Sequence, residues 1–307
     1  MSKTLKTYTS TLYPNIALIK YWGKSDEKEN KPTNESISIT LNKLKTITTI
    51  SESSEDEFIL DGNKLEMPSR MKNLLEYFRN RSIFKTKIKI ESQNNFPHSC
   101  GLASSSSGYS ALVKGLKGFF ELNIDEKELS ILARKGSGSA SRSIFDGFVH
   151  LKKENDEYFS CKIADCLNLK VLIVILDSKV KKVSSTEGMN RTVSTSNLFK
   201  MRLSNIQEKI NRMLAYIKEE NYDGILNLTM RDSNEIHALC LDSFPPIFYL
   251  NENSHKVIDI VHGINKEEIK LGYTFDAGPN AFLIIKNEFY EEVKRIFEKE
   301  FKLVEGL

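Results

Sequence analysis

The first ninety residues alternate apolar and polar side chains. Ser36-Ile-Ser-Ile-Thr-Leu41 and Thr86-Lys-Ile-Lys-Ile90 carry the two-residue period of half-buried strands. Between Phe58-Ile-Leu60 and Leu65, the polar Asp61-Gly62-Asn63 predicts a hairpin turn. Helical spacing takes over from Met71 to Phe78, returns from Tyr109 to Phe119, and gives a third short helix over Asp125 to Ala133. From Leu169 the nearly unbroken apolar run to Leu176 predicts a buried strand. Long amphipathic helices follow, chiefly Ser196 to Glu219. Two late strands, Ile269 to Thr274 and Ala281 to Ile285, flank a tight Gly-Pro turn and precede a last helix from Glu288 to Glu300. The change of character near Leu167 divides the chain into residues 1–166 and 167–307.

Composition narrows the class. With 307 residues, 40% of them hydrophobic, the chain can bury the core of one large or two medium domains. No apolar run approaches the roughly 20 residues a bilayer requires, and Met1 to Ser10 has no segment able to serve as a signal-peptide core. The chain therefore reads as a cytoplasmic protein with no membrane partner. Its 44 basic and 41 acidic side chains leave a net charge of +3, which gives no bulk electrostatic support for binding nucleic acid. Cys100, Cys161, Cys166 and Cys240 are dispersed without zinc-type spacing and read as reduced packing residues. Sequons at Asn34, Asn190 and Asn227 carry no weight without secretion.

Chemistry concentrates in four short stretches. Gly101-Leu-Ala-Ser-Ser-Ser-Ser-Gly108 joins a strand to a helix, where free backbone N–H groups and a helix dipole converge on an anion; a serine-capped helix is the plainer reading. The stretch is neither a P-loop nor a dinucleotide fingerprint. Arg134-Lys-Gly-Ser-Gly-Ser-Ala-Ser-Arg142 again combines glycines, hydroxyls and guanidinium groups, so a ligand with more than one phosphate cluster is expected. Lys20-Tyr-Trp-Gly-Lys24 sets two ammonium groups about a glycine, and Trp22 alone would read as core. In Thr274-Phe-Asp-Ala-Gly-Pro-Asn280 one carboxylate, Asp276, ends a strand, where it either caps the turn or stands at the edge of a site.

These stretches, with Pro14-Asn-Ile-Ala-Leu-Ile-Lys20, Asn94-Asn-Phe-Pro97 and Asp242-Ser-Phe-Pro-Pro-Ile-Phe248, resemble the diphosphomevalonate decarboxylases of the GHMP kinase superfamily over nearly the whole chain. The resemblance implies an α+β, two-domain GHMP-kinase-like fold: a strand-rich N-terminal domain with the glycine-serine phosphate loop, and a ferredoxin-like C-terminal domain. It implies ATP-dependent decarboxylation of mevalonate 5-diphosphate to isopentenyl diphosphate, ADP, phosphate and carbon dioxide, with ATP and Mg2+ as cofactors. The ATP phosphates fall to Gly101, Leu102, Ala103, Ser104, Ser105 and Ser106. Tyr21, Lys24, Ser137, Gly138, Ser139, Arg142, Ser185 and Thr186 match positions around the substrate, and Asp276, Lys20 and Arg142 the catalytic ones. No carboxylate stands out as a magnesium ligand, and a homodimer is compatible with the family.

The chain departs from the family pattern in places. Glu35 replaces a small hydroxyl residue, His98-Ser99-Cys100 a Thr-Ala-Ala type run, Ser106 an alanine and Ser141 a cysteine. Asp146 replaces a glycine and is expected to bring negative charge near Arg142. The chain stops at Leu307, short of many relatives, which leaves open what closes the C-terminal sheet. Two rivals follow: a superfamily kinase that leaves the phosphoryl group in place, and a catalytically silent nucleotide- or isoprenoid-binding protein.

Overall fold

The computed structural model describes residues 6–96, 104–166, 168–177 and 181–307. Strands β1 (Thr7–Leu12), β6 (Thr46–Ser53), β9 (Lys87–Asn94), β7 (Glu57–Leu60) and β8 (Asn63–Leu65) form one sheet in that order. All neighbours are antiparallel except β7 and β9. The predicted hairpin is β7–β8, with Asp61 and Gly62 at φ 48° and 82°. Helices α1 (Ser69–Arg81), α2 (Ser104–Phe119) and α3 (Glu126–Gly136) cover one face of this sheet. Ile50, Ile88 and Ile90 meet Leu74, Phe78, Leu116 and Phe119 there.

A second sheet, antiparallel, runs β11 (Glu157–Ala164), β10 (Phe148–Glu154), β5 (Ser36–Thr40), β2 (Asn15–Ile19), leaving β2 at its edge. A two-stranded ribbon, β3 (Lys24–Asp26) and β4 (Lys31–Pro32), follows β2 in the chain.

The C-terminal sheet is ordered β13 (Leu271–Phe275), β14 (Ala281–Lys286), β12 (Leu169–Ile175), β15 (Lys302–Glu305). By chain position that order is 2-3-1-4, the antiparallel ferredoxin-like arrangement. Both faces of β12 are covered, which explains its unbroken apolar run. Val171 and Ile173 pack with Ile16, Leu18, Ile37, Ile39 and helices α5 (Phe199–Lys218) and α6 (Tyr222–Asp242). Leu172 and Val174 pack with helices α7 (Glu252–Ile264) and α8 (Tyr290–Phe297).

Three sequence expectations needed correction. α2 begins at Ser104 rather than Tyr109, so the serine run is helical. Serine is a poor helix former because its hydroxyl competes for backbone groups. Here tertiary bonding takes up hydroxyls of the run: Ser107 Oγ lies 2.6 Å from Thr46 Oγ1, and Ser105 Oγ accepts from Ser137 Oγ. The last helix is shorter than expected, and β15 follows it, pairing with β12 to form the sheet edge. α6 was not anticipated, because its buried face carries Thr229, Asp232, Ser233 and His237 and so breaks the apolar period. Among the described residues no helix is long and apolar enough to cross a membrane.

Candidate active site

A cleft of about 470 Å³ lies where the two halves meet. Side chains reach it from the end of β2 and from β3, the first turn of α1, the start of α2, the turn after α3, the start of helix α4 (Ser185–Thr195) and the segment before it, α6, and the β13–β14 connection. Lys20, Lys24, Arg70, Arg142 and Lys181 line it against one carboxylate, Asp276. The N-termini of α2 and α4, with Ser105, Ser185 and Thr186 in their first turns, add backbone dipoles of the same sign. Such a surface suits a polyanion.

Asp276 and Lys20 form the core of the site. Lys20 Nζ donates to Asp276 Oδ1 at 2.7 Å and to the Ala17 carbonyl at 3.2 Å. The lysine side chain is 4% exposed and the aspartate 37%, so the pair presents its carboxylate to the cleft. Burial opposes ionisation of Asp276, but Lys20 foremost, with Lys181 and Arg142, outweighs it and holds the carboxyl below the usual carboxylate range. The turn that carries Asp276 is braced from behind, since Asn280 Oδ1 accepts from the Leu176 and Asp177 N–H groups and Ser254 Oγ donates to the Pro279 carbonyl.

Arg142 sits on the buried 3-10 turn after α3, where burial pushes it down to about 10 and leaves it charged at neutral pH. Its Nη1 donates to Ser36 Oγ at 2.6 Å and its Nε to Asn15 Oδ1 at 3.2 Å. Asn15 Nδ2 in turn donates to the Ser139 carbonyl and to Ser143 Oγ, tying β2 to the turn. Two glycines make this packing possible. A Cβ on Gly138 would lie 2.2 Å from the Tyr21 ring, and one on Gly136 2.2 Å from the Tyr109 ring. Tyr21 donates its hydroxyl to the Asn30 carbonyl, and burial raises its pKa. Ser137 Oγ donates to Ser105 Oγ at 3.3 Å, so the two serine-rich stretches meet.

Across the cleft, Lys24 Nζ donates to Thr186 Oγ1 at 2.9 Å. Burial, then the charge of Arg70, lowers the lysine's pKa. α4 is held by Trp22, whose Nε1 donates to Thr192 Oγ1, and by Tyr249, whose hydroxyl donates to the Ser184 carbonyl. The Asp242-Ser-Phe-Pro-Pro stretch supports this helix rather than the cleft. Thr192 and Ser243 hydroxyls are 2.9 Å apart, and the Phe244 N–H donates to Thr195 Oγ1.

Of the residues singled out in the sequence, Lys20, Tyr21, Lys24, Ser105, Ser137, Gly138, Ser139, Arg142, Ser185, Thr186 and Asp276 line the cleft. Ser106 is fully buried and does not. Gly101, Leu102 and Ala103 lie outside the described residues, as does the side chain of Ser104. Arg134 turns away from the cleft to Glu157 and the Glu29 and Tyr158 carbonyls. Asn15, Arg70, Tyr109 and Lys181 were missed. Asn15 stood within a quoted motif, whereas Arg70 had no signal beyond its place in the first turn of a helix. Asp146 does not burden Arg142: its exposed carboxylate pairs with Lys162 at 2.8 Å. Glu35 also lies away from the cleft lining, bonded to His150 Nε2 and the Lys153 N–H.

Comparison with known proteins agrees with this geometry. Residues 12–162 match the Diphosphomevalonate decarboxylase-like N-terminal domain and residues 171–306 the Mevalonate 5-diphosphate decarboxylase C-terminal domain. The chain is 39% identical over 317 residues to the diphosphomevalonate decarboxylase of Candida albicans, covering 95% of this chain and 88% of that protein. It superposes on the mevalonate diphosphate decarboxylase of Staphylococcus aureus with a TM-score of 0.92 at 31% identity, covering 98% and 95% of the two chains. A solved complex of MDDEF with MVAPP, AMPPCP and magnesium matches with a TM-score of 0.90 at 32% identity, covering 98% and 96%. Likeness at this level through both halves, around a cleft built from the motifs that carry the resemblance, means that the chain belongs to the diphosphomevalonate decarboxylase family.

Proposed function

We infer that the protein converts mevalonate 5-diphosphate and ATP to isopentenyl diphosphate, ADP, phosphate and carbon dioxide, and that the Lys20–Asp276 pair is its reacting centre. The observation that carries this reading is the one carboxylate among the described lining residues, held ionised 2.7 Å from a buried ammonium in a cleft whose other charged side chains are all cations. The substrate bears a tertiary hydroxyl on the carbon next to the one carrying the carboxylate, and hydroxide leaves poorly. Asp276 accepts a hydrogen bond from that hydroxyl, orients it toward the terminal phosphoryl group of ATP, and takes its proton as the phosphoryl group passes to the oxygen and ADP leaves. Its depressed pKa suits an orienting carboxylate whose proton demand comes late in a loose phosphoryl transfer. Lys20 balances the negative charge gathering beside it. When phosphate then departs with the C–O bonding electrons, the electrons of the bond to the carboxylate form the new double bond, and carbon dioxide leaves.

Arg142 holds the acidic end of the substrate through its buried guanidinium, while Tyr21, Lys24, Ser137, Gly138, Ser139, Ser185 and Thr186 receive the diphosphate. The ATP phosphates lie over the start of α2, at Ser105 and the backbone of Ser104, with Gly101, Leu102 and Ala103 assigned to them by the resemblance alone and Ser106, buried in the helix, withdrawn from the set. Among the described residues no group of three metal-ligating side chains occurs, and the oxygens near which magnesium would bind with the nucleotide are the Ser105, Ser185 and Thr186 hydroxyls and the Asp276 carboxylate of the cleft. Magnesium there supplies charge neutralisation of the phosphates.

The reading further takes residues 1–166 and 167–307 as two domains and the enzyme as a cytoplasmic homodimer. Free thiols at Cys161, Cys166 and Cys240 fit a reducing compartment. Association is supported by exposed apolar side chains at the start of α5 and the end of α6 and just beyond it, where Met201, Leu241, Phe244 and Phe248 are 62%, 56%, 77% and 73% exposed.

The test is turnover of the purified chain with both substrates, measuring ADP and carbon dioxide together, beside an Asp276→Asn variant. Equal yields of the two products are expected from the wild type, with a rate about 10²–10⁴-fold lower in a variant that melts normally and still binds both ligands. ADP without carbon dioxide would make the protein a kinase, and a stable variant retaining more than about a tenth of the rate would remove Asp276 from the chemistry.

A further inference from the structure

We propose that the buried Asp232–Arg202 ion pair is a positioning device, gripping the main chain of Lys20 so that its ammonium is held against Asp276. The proposal rests on the reading of Lys20 and Asp276 given above and adds two residues from outside the cleft.

β2 is an edge strand, and the main-chain groups just beyond Ile19 need partners from elsewhere. Helices α6 and α5 supply them. Asp232 Oδ2 accepts the Lys20 N–H at 2.8 Å, and Arg202 Nη2 donates to the Lys20 carbonyl at 2.9 Å. Arg202 Nη1 closes the ring on Asp232 Oδ1 at 2.8 Å. Both side chains are wholly buried. Asn34 Nδ2 adds a second donor to the same carbonyl at 3.0 Å. The pairing of β2 with β5 is irregular between Ala17 and Ile19, and Lys20 Nζ leans on the Ala17 carbonyl. A lysine clamped at its N–H, its carbonyl and its ammonium has little freedom left.

Fold stability alone does not call for this arrangement. Two buried charges lose so much hydration that well-packed apolar residues commonly serve a fold as well or better. The local charge also balances without the pair, because Lys209 and Glu235 lie beside it and bond each other. What an apolar pair cannot do is offer an acceptor and a donor, rigidly linked, to one residue's main chain.

The groups facing Asp276 are Lys20 from the end of β2, Lys181 from the segment before α4, Arg142 from the 3-10 turn and, at longer range, His237 of α6. Burial, reinforced by Lys20, pushes His237 down to about 4, so it is neutral through the working range. Releasing Lys20 removes the chief group that depresses the Asp276 carboxyl. That carboxyl then titrates at higher pH, and the acid limb of kcat moves up with it.

The experiment uses the full chain, with Arg202→Met and Asp232→Leu combined, beside the single variants Asp232→Asn and Arg202→Lys. For the double variant we expect a melting temperature near wild type, nearly unchanged KM for both substrates, and kcat lower on the order of 10²-fold. The carboxyl carbon of Asp276, followed by NMR, titrates at higher pH than in the wild type. Asp232→Asn, which keeps an acceptor for the Lys20 N–H, recovers part of the lost rate. A folded double variant with wild-type kcat and wild-type Asp276 titration overturns the proposal. Should the double variant not fold, unaltered Asp276 titration in both single variants overturns it equally. Failure of the wild type to release carbon dioxide would overturn the assigned reaction, while the titration, which needs no turnover, decides the positioning role separately.

Discussion

Arg142 shows how much a single residue's role depends on geometry rather than charge. The residue is 3% exposed and its guanidinium uses separate nitrogens for Asn15 and Ser36, a fork that an ammonium cannot reproduce. Arg142→Lys should therefore raise KM for mevalonate 5-diphosphate about ten- to a hundredfold, the loss of one charge-assisted bond, and leave KM for ATP near wild type. Unchanged substrate affinity in steady-state kinetics would take Arg142 off the substrate. Residues of this kind were legible in the sequence where a motif surrounds them: Lys20, Arg142 and Asp276 all stand inside distinctive short stretches. Arg70 and Lys181 were not, because a lone cation at a helix start or in a basic run has the same sequence appearance whether it faces solvent or a cleft. Asp146 was misjudged for the same reason. Proximity in sequence to Arg142 said nothing about direction, and the side chain turns out to Lys162.

At the scale of elements, the turn between α3 and β10 is shaped by what leans on it. Gly138 has room for no side chain, since Tyr21 packs against its Cα and donates its own hydroxyl to the Asn30 carbonyl. Gly138→Ala should displace the ring and widen the turn, raising KM for mevalonate 5-diphosphate at least about tenfold, at a stability cost of about 1–3 kcal/mol from overpacking. Wild-type kinetics and melting in that variant would show that the ring yields freely. Strand and helix periods gave most elements their place, β5, β9, β12, α1 and α5 among them. Several elements escaped, α7 and β10 among them although Val257, Val261, Phe148 and Leu151 give them apolar inner faces, and two escaped because their buried faces are polar. α6 hides Asp232, Ser233 and His237 in the interior, and the helical serines of α2 bond across to β6. Hydrophobic periodicity cannot register a helix whose inner face is used for hydrogen bonding.

For the whole molecule, the two-domain architecture was legible through resemblance and through the shift from strands to long helices. The depth of contact between the halves was not. Nor does any period foretell the exposed rings of Phe244 and Phe248, on which the proposed dimer rests. Phe244→Ser with Phe248→Ser should convert a dimer to a monomer in sedimentation while leaving melting almost unaffected. A wild-type chain that sediments as a monomer at assay concentration would end the dimer assignment. The shared core, in which Ile16, Leu18, Ile37 and Ile39 pack with Val171, Ile173, Phe282 and Ile284, bears on how such a chain can change over generations. A crossover between two related genes at the join would pair one parent's inner face with the other's. Only parents whose facing side chains match in volume would yield a working chimera. Variation in each half is thus answerable to the other, and the two must be inherited, exchanged or redesigned together.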